Sequence, residues 1–206
     1  MDVISERNDT HIPELRLGRI CLRPLELLDN KAWRRVHSHF KDPEIAYLNG
    51  TPPSRMPLWL LRRVLKADSR RSDRQTFGIF SVEADEEYIG TIELYDLAKR
   101  SATLGIIIGE RHYWGKGYGS EAIHALLDYA FNTLGLEDMR LHTFADNLRA
   151  QACFKKVGFV EMRRVPAAND RTDVQMRIAG EVWRYHNGDS SELSAAPATP
   201  RWEDLG

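Results

Sequence analysis

Three glycines, at positions 115, 117 and 119 of the stretch RHYWGKGYGSEAIHALLDYAF, stand immediately before a strongly periodic helix. Glycine clears side chains from the path of a ligand, and the first turn of a helix offers unpaired N–H groups and the positive end of its dipole. Together these suit a phosphate or pyrophosphate. Glycines that only ease the packing of a helix on a sheet would look the same, so spacing has to decide. The dinucleotide fingerprint requires G-x-G-x-x-G, and Ser120 stands where its third glycine belongs. The triphosphate loop requires four residues between its first glycine and Gly-Lys, then Ser or Thr. Here Gly109 and Gly115 have five residues between them, and Lys116 is followed by Gly117. Neither pattern fits.

Acid–base chemistry has several candidate groups: Glu93 in ELYD, Glu110 and His112 before the glycines, His142 in LHTF, and Glu161. Glu93 is favoured, because it shares a strand face with Thr91 and Tyr95, and burial there would raise a carboxyl pKa toward neutrality. A solvated edge glutamate fits the same residue. His112 reads as a loop surface residue and His142 as a packed strand histidine. His37 and His39 fall on opposite faces of a strand and apart on a helix, and Cys21 and Cys153 lack the paired spacing of a metal knuckle, so no metal is expected. The basic run RRVLKADSRRSDR is interleaved with acids and reads as a solvated helix face and loop.

The elements that must position these groups follow from periodicity. Arg19 to Leu25 alternates as a strand, followed by a helix from about Asp29 to Phe40. KDPEIAYLNGTPPSRMP carries four prolines and reads as loop. A helix from Pro57 to Ala67 places Leu58, Leu61, Val64 and Leu65 on one face. Gln75 to Glu83, Glu87 to Tyr95 and Ala102 to Gly109 read as an antiparallel meander. The helix after the glycines runs from about Gly117 to Leu134. A strand at Met139 to Ala145, a helix at Asn147 to Val157, and strands at Phe159 to Val165 and Thr172 to Ile178 complete a mixed sheet covered by helices.

The chain has 206 residues, 29 Lys and Arg against 30 Asp and Glu, and no apolar run long enough to span a membrane. The near-zero net charge gives no field drawing it to nucleic acid or a membrane surface. A cytoplasmic location is expected, since the first residues show no secretory pattern. From about Trp183 the composition turns to Ser, Ala, Pro and Gly without a period, which reads as a flexible tail.

YWGKGYGSEA, preceded by LGIIIGE and followed by ADNLRAQACFKKVGF at residues 145 to 159, resembles the GNAT superfamily of acetyl-coenzyme A dependent N-acetyltransferases. The similarity is strongest to the branch of ribosomal-protein N-terminal acetyltransferases. The likeness implies an α+β, GNAT-like fold: a largely antiparallel mixed sheet of about six to seven strands flanked by helices, with a splayed strand pair holding the cofactor. It implies one acetyltransferase domain over residues 1–185 and a tail over 186–206. It also implies that the loop of Trp114, Gly115, Lys116, Gly117, Tyr118, Gly119 and Ser120 wraps the coenzyme pyrophosphate, and that the pantetheine lies in a wedge beside Ile108. Asn147 matches a position that contacts the pantetheine or orders the thiol end, and it also suits a helix N-cap. Phe154 occupies the cofactor-side position where many members carry a tyrosine that protonates the departing thiolate, and phenylalanine has no proton to give. Ala150 and Ala168 stand where the ribosomal-protein enzymes place a serine and a glutamate.

The implied reaction is direct attack of a primary amine, from a protein N-terminus or a small amine, on the acetyl-CoA thioester. Glu93 and Asn147 are its candidate catalytic residues. An α-amine of pKa about 7.8 costs about 1 kcal/mol to deprotonate at neutral pH, and a lysine-like amine about 4.6 kcal/mol. A non-catalytic coenzyme A binding or regulatory module is the alternative that Phe154 keeps open. Homodimers are frequent among similar proteins.

Overall fold

The computed structural model describes residues 12–83 and 85–187. An eight-stranded sheet runs through it. Its strands are β1 (Leu15–Leu17), β2 (Ile20–Pro24), β3 (Gln75–Ser81), β4 (Glu87–Tyr95), β5 (Ser101–Ile108), β6 (Asp138–Phe144), β7 (Val160–Pro166) and β8 (Thr172–Ala179). They are ordered β1-β2-β3-β4-β5-β6-β8-β7, and every neighbouring pair is antiparallel except β5 and β6. The expected meander is β3-β4-β5. The strand beyond the expected count is β1, whose three residues are too few to show an alternation; Gly18, at φ 54°, turns it into a hairpin with β2.

Both faces of the sheet are covered, and β2 shows why: Ile20 and Leu22 point into one core and Cys21 into the other. Helix α1 (Asn30–Lys41) is capped by the Asp29 carboxylate, which accepts from Ala32 N. With α3 (Leu58–Ser69) it buries Trp33, Val36 and Leu61 over Cys21, Phe80 and Tyr88. Helix α4 (Tyr118–Asp128) buries Ile123, Leu126 and Leu127 on the opposite face, each fully enclosed. Burial of such a side chain is worth roughly 1.5–3 kcal/mol.

Three expectations need correction. The Pro-rich segment is not wholly loop, because Pro43–Leu48 forms helix α2: Pro43 sits in the first turn, where its missing N–H costs nothing, and Asp42 accepts from Glu44 N and Ile45 N. The helix after the glycines does not stay α-helical to Leu134; Tyr129–Thr133 forms a π-helical turn. The tail expected over 186–206 overlaps α6 (Gly180–Asn187), which buries Trp183 and includes residues 186 and 187. The rest of that expected tail lies outside the described residues.

Candidate active site

Gly115 and Gly117 adopt φ of 72° and 92°, a region that side-chain-bearing residues enter at a cost. A Cβ at Gly115 would meet nothing within 4 Å, so the backbone here borders open space. Gly117 is the N-cap of α4 and supplies no side-chain cap, which leaves the first-turn N–H groups without a side-chain acceptor. Arg19 holds this loop from outside: it donates to Lys116 O at 3.0 Å and to Glu121 Oε1 in the first turn of α4. On the other flank, Trp114 Nε1 donates to Ile108 O at 2.7 Å and pins the loop to the end of β5. The donor set and the bare backbone fit a pyrophosphate.

A gap opens beside the loop. β5 and β6 pair only at Ser101, Ala102 and Thr103, opposite Asp138, Met139 and Arg140. β5 continues to Ile108 and β6 to Phe144 without pairing, so the two strands diverge. A cavity of about 590 Å³ runs from Gly115, Gly117, Gly119 and Ser120 through this gap, past Ile106, Ile108 and Phe154, to Glu93, Tyr95 and His142. The buried Gln151 fixes the far lip by donating to Phe144 O and Ala145 O. Asn147, just beyond, caps helix α5 (Leu148–Val157) by accepting from Ala150 N at 3.3 Å.

Chemistry concentrates at the inner end. Glu93 lies opposite Gly105 in the β4–β5 register, and a Cβ on Gly105 would come within 3.2 Å of Glu93 Oε1 and 3.4 Å of Tyr95 Cε1. The glycine thus gives both side chains room over one patch of floor. Glu93 Oε2 accepts from Arg74 at 2.9 Å and from Thr76 at 3.3 Å. Burial pushes the Glu93 carboxyl above the usual carboxylate range, and the Arg74 charge pulls the other way without cancelling it.

The loop residues divide by side chain. Trp114, Gly115, Gly117, Gly119 and Ser120 line the cavity, as do Ile108, Asn147 and Phe154. Lys116 is not among the lining residues, and Tyr118 turns inward: it packs edge-on against Tyr113 at 4.7 Å and donates to Glu83. Neither of these two forms part of the cavity wall. Of the candidate bases, Glu93 and His142 line the cavity, whereas Glu110, His112 and Glu161 do not. Glu110 is paired with Arg35 at 2.7 Å and His39 at 3.0 Å, and Glu161 with Arg164 at 2.6 Å. His142, expected to be packed within its strand, instead faces the cavity and bonds to Tyr95.

Sequence reasoning missed Arg74 and Arg149. Arg149 lines the cavity with its guanidinium 3.4 Å from the Trp114 ring centroid, and burial lowers its pKa. Its place in the first turn of a helix directly after Asn147 was the available signal. Arg111 takes Asp42 and Glu44, and Asp173 faces His142. Among the described residues no group of three or more His, Cys, Asp or Glu is placed to hold a metal ion, and no helix is long and apolar enough to cross a membrane.

Comparison with known proteins bears on this geometry. The acetyltransferase (GNAT) domain family matches residues 19–160. An N-acetyltransferase of Bacillus licheniformis, p20, is 31% identical over 133 residues, 63% of this chain and 72% of that protein. Spermidine N(1)-acetyltransferase of Vibrio cholerae is 37% identical over 81 residues, 38% of this chain but only 46% of that protein. In fold, the crystal structure of spermidine N-acetyltransferase from Vibrio cholerae in complex with CoA and spermine superposes with a TM-score of 0.70 at 23% identity, covering 80% of this chain and 98% of that one. With its sheet, diverging strand pair and glycine loop in place, the chain belongs to the GNAT family of N-acetyltransferases.

Proposed function

We propose that this chain transfers the acetyl group of acetyl-CoA to one primary amine, that of a protein N-terminus or a small amine, within a single domain ending near residue 185. The observation that carries this reading is the uncapped, glycine-lined start of α4 opening into a cavity that ends at a carboxylate, a phenol and an imidazole. Bound there, acetyl-CoA would supply the acetyl thioester. The backbone of Trp114 to Ser120 would hold its pyrophosphate, with Arg149 adding charge at the mouth and Ile108, Phe154 and Asn147 flanking the pantetheine. With Oε2 committed to Arg74 and Thr76, Glu93 is better suited to hold the incoming ammonium through Oε1 than to act as the base.

The wall composition favours an acceptor with one amine. Glu93 is the acidic residue among those lining the cavity, against Arg74, Arg149 and Lys156. A polycation such as spermidine, the substrate named for the Vibrio cholerae relative, would meet more positive than negative charge here. An α-amine also needs the least help to lose its proton. That supports the N-terminal acceptor expected from the resemblance to the ribosomal-protein branch, despite Ala150 and Ala168. Two free cysteines suit a reducing cytoplasm. A homodimer belongs to the same proposal, and light scattering measures it.

The test is a thermal-shift titration with acetyl-CoA on wild type and Gly117→Glu, followed by thiol release with a free-amine peptide, an amino acid and spermidine. A ligand at about 100 times its Kd stabilises by about 2.7 kcal/mol, and Gly117→Glu should abolish that shift. Stabilisation without thiol release from any amine would favour the non-catalytic coenzyme A binder.

A further inference from the structure

Three strands contribute one side chain each to a row of contacts that starts at the inner end of the cavity. Tyr95 on β4 places its Oη 2.8 Å from His142 Nε2 on β6, and His142 Nδ1 lies 3.3 Å from Asp173 Oδ1 on β8. Gln175, paired with His142 in the β6–β8 register, donates to the other Asp173 oxygen at 3.3 Å. Tyr95 and His142 are cavity-lining residues. A neutral imidazole has one donor and one acceptor nitrogen, and the Asp173 carboxylate facing Nδ1, at ion-pair rather than hydrogen-bond geometry, favours the donor there. Nε2 is then left to accept the phenolic proton, the order of roles by which a carboxylate-oriented histidine activates a hydroxyl.

Three other cavity positions offer no free hydroxyl. Phe154 has no proton, the Tyr113 hydroxyl donates to Glu87 at 2.7 Å, and Ser120 Oγ pairs with Cys153 Sγ at 3.3 Å. Glu93 has one oxygen taken by Arg74 and Thr76. Tyr95 alone of these hydroxyls is joined to an imidazole.

We propose that Tyr95, His142 and Asp173 form a proton shuttle, with Tyr95 the catalytic residue that meets the attacking amine and His142 and Asp173 positioning residues behind it. The proposal rests on the acetyl-transfer reading above. As the amine nitrogen bonds to the acetyl carbon, its proton passes to Tyr95 Oη while the proton of Tyr95 passes to His142 Nε2, giving an imidazolium held by Asp173. When the tetrahedral intermediate collapses and the carbon–sulfur bond breaks, the proton returns along the same path to the departing thiolate, which leaves as the free thiol, so the protein ends as it began and Phe154 leaves no step without a donor. Burial pushes Tyr95 up to about 12, with Glu93, Asp96 and Asp173 raising it further and Arg74 opposing them. Tyr95 therefore conducts the proton only when its own has somewhere to go.

The experiment combines nitrogen-15 histidine NMR on the ligand-free protein with kinetics using a free-amine peptide and spermidine. His142 is expected as the Nδ1–H tautomer, and Asp173→Asn should mix its tautomers. Tyr95→Phe, which keeps the ring under Arg74, should lower kcat about 10²- to 10⁴-fold with its acetyl-CoA melting shift intact. In wild type kcat/KM should fall as pH drops through the His142 midpoint measured by NMR, and His142→Gln should lose that limb. An Nε2–H tautomer, or a Tyr95→Phe enzyme within about threefold of wild type, overturns the shuttle alone. A wild type that neither binds acetyl-CoA nor releases thiol overturns the shuttle together with the acetyl-transfer reading.

Discussion

Glu93 is pulled in two directions, and the direction that wins is measurable. Its carboxyl is raised by burial, so the folded state binds that proton more tightly than the unfolded chain does. The stability this provides is full below the usual carboxylate range and is lost as pH rises through the folded value. Glu93→Gln should therefore be more stable than wild type at neutral pH and lose that advantage in acid, as melting curves across pH would show; Arg74 keeps Asp68, 3.0 Å away, as a partner. A stabilised variant with a raised KM for the amine fits the anchoring role, whereas an unchanged KM removes it. The shared face of Thr91, Glu93 and Tyr95 was legible in the sequence, because strand alternation alone sets it. The partners were not: Arg74, His142 and Asp173 come from strands or turns far along the chain, and only the register brings them together.

At the level of elements, the site follows from one connection. β5 and β6 are the parallel pair, and a parallel pair needs a crossover, here α4. A crossover helix starts at the carboxyl end of the strand it leaves, where open sheets bind ligands. The bare loop and the diverging strands are thus neighbours by construction. Both motifs were readable because each is local, a run of glycines and an Asn before a periodic helix. Helix α2 was not, since four prolines masked the Asp42 cap that starts it. Asn147 allows its two roles to be separated: Asn147→Ala should cost about 1 kcal/mol from the lost cap, whereas Asn147→Ser keeps most of that stability. If the amide also reaches the pantetheine, the serine variant will melt like wild type alone yet gain less from acetyl-CoA.

Across the whole molecule, the sheet is a five-stranded part and a three-stranded part joined at three residue pairs. Backbone groups of β5 beyond Thr103 that face the gap have no strand to pair with. Amides of residues 104 to 108 on that side should exchange quickly in the free protein and slow on acetyl-CoA binding, as hydrogen exchange would show. Protection confined to the loop would mean that nothing enters the gap. The antiparallel run β3-β4-β5 could be foreseen from periodicity, but the short length of the β5–β6 pairing could not, because divergence leaves no mark on either strand's alternation. That narrow seam also bears on cooperativity. With so little ladder across it, the two parts are tied chiefly by side chains packed in one shared core, and β6, β8 and β7 are expected to open as a unit before β1 to β5. A ligand lying along the seam would weld the two parts into one melting unit, and the transition would sharpen as well as shift.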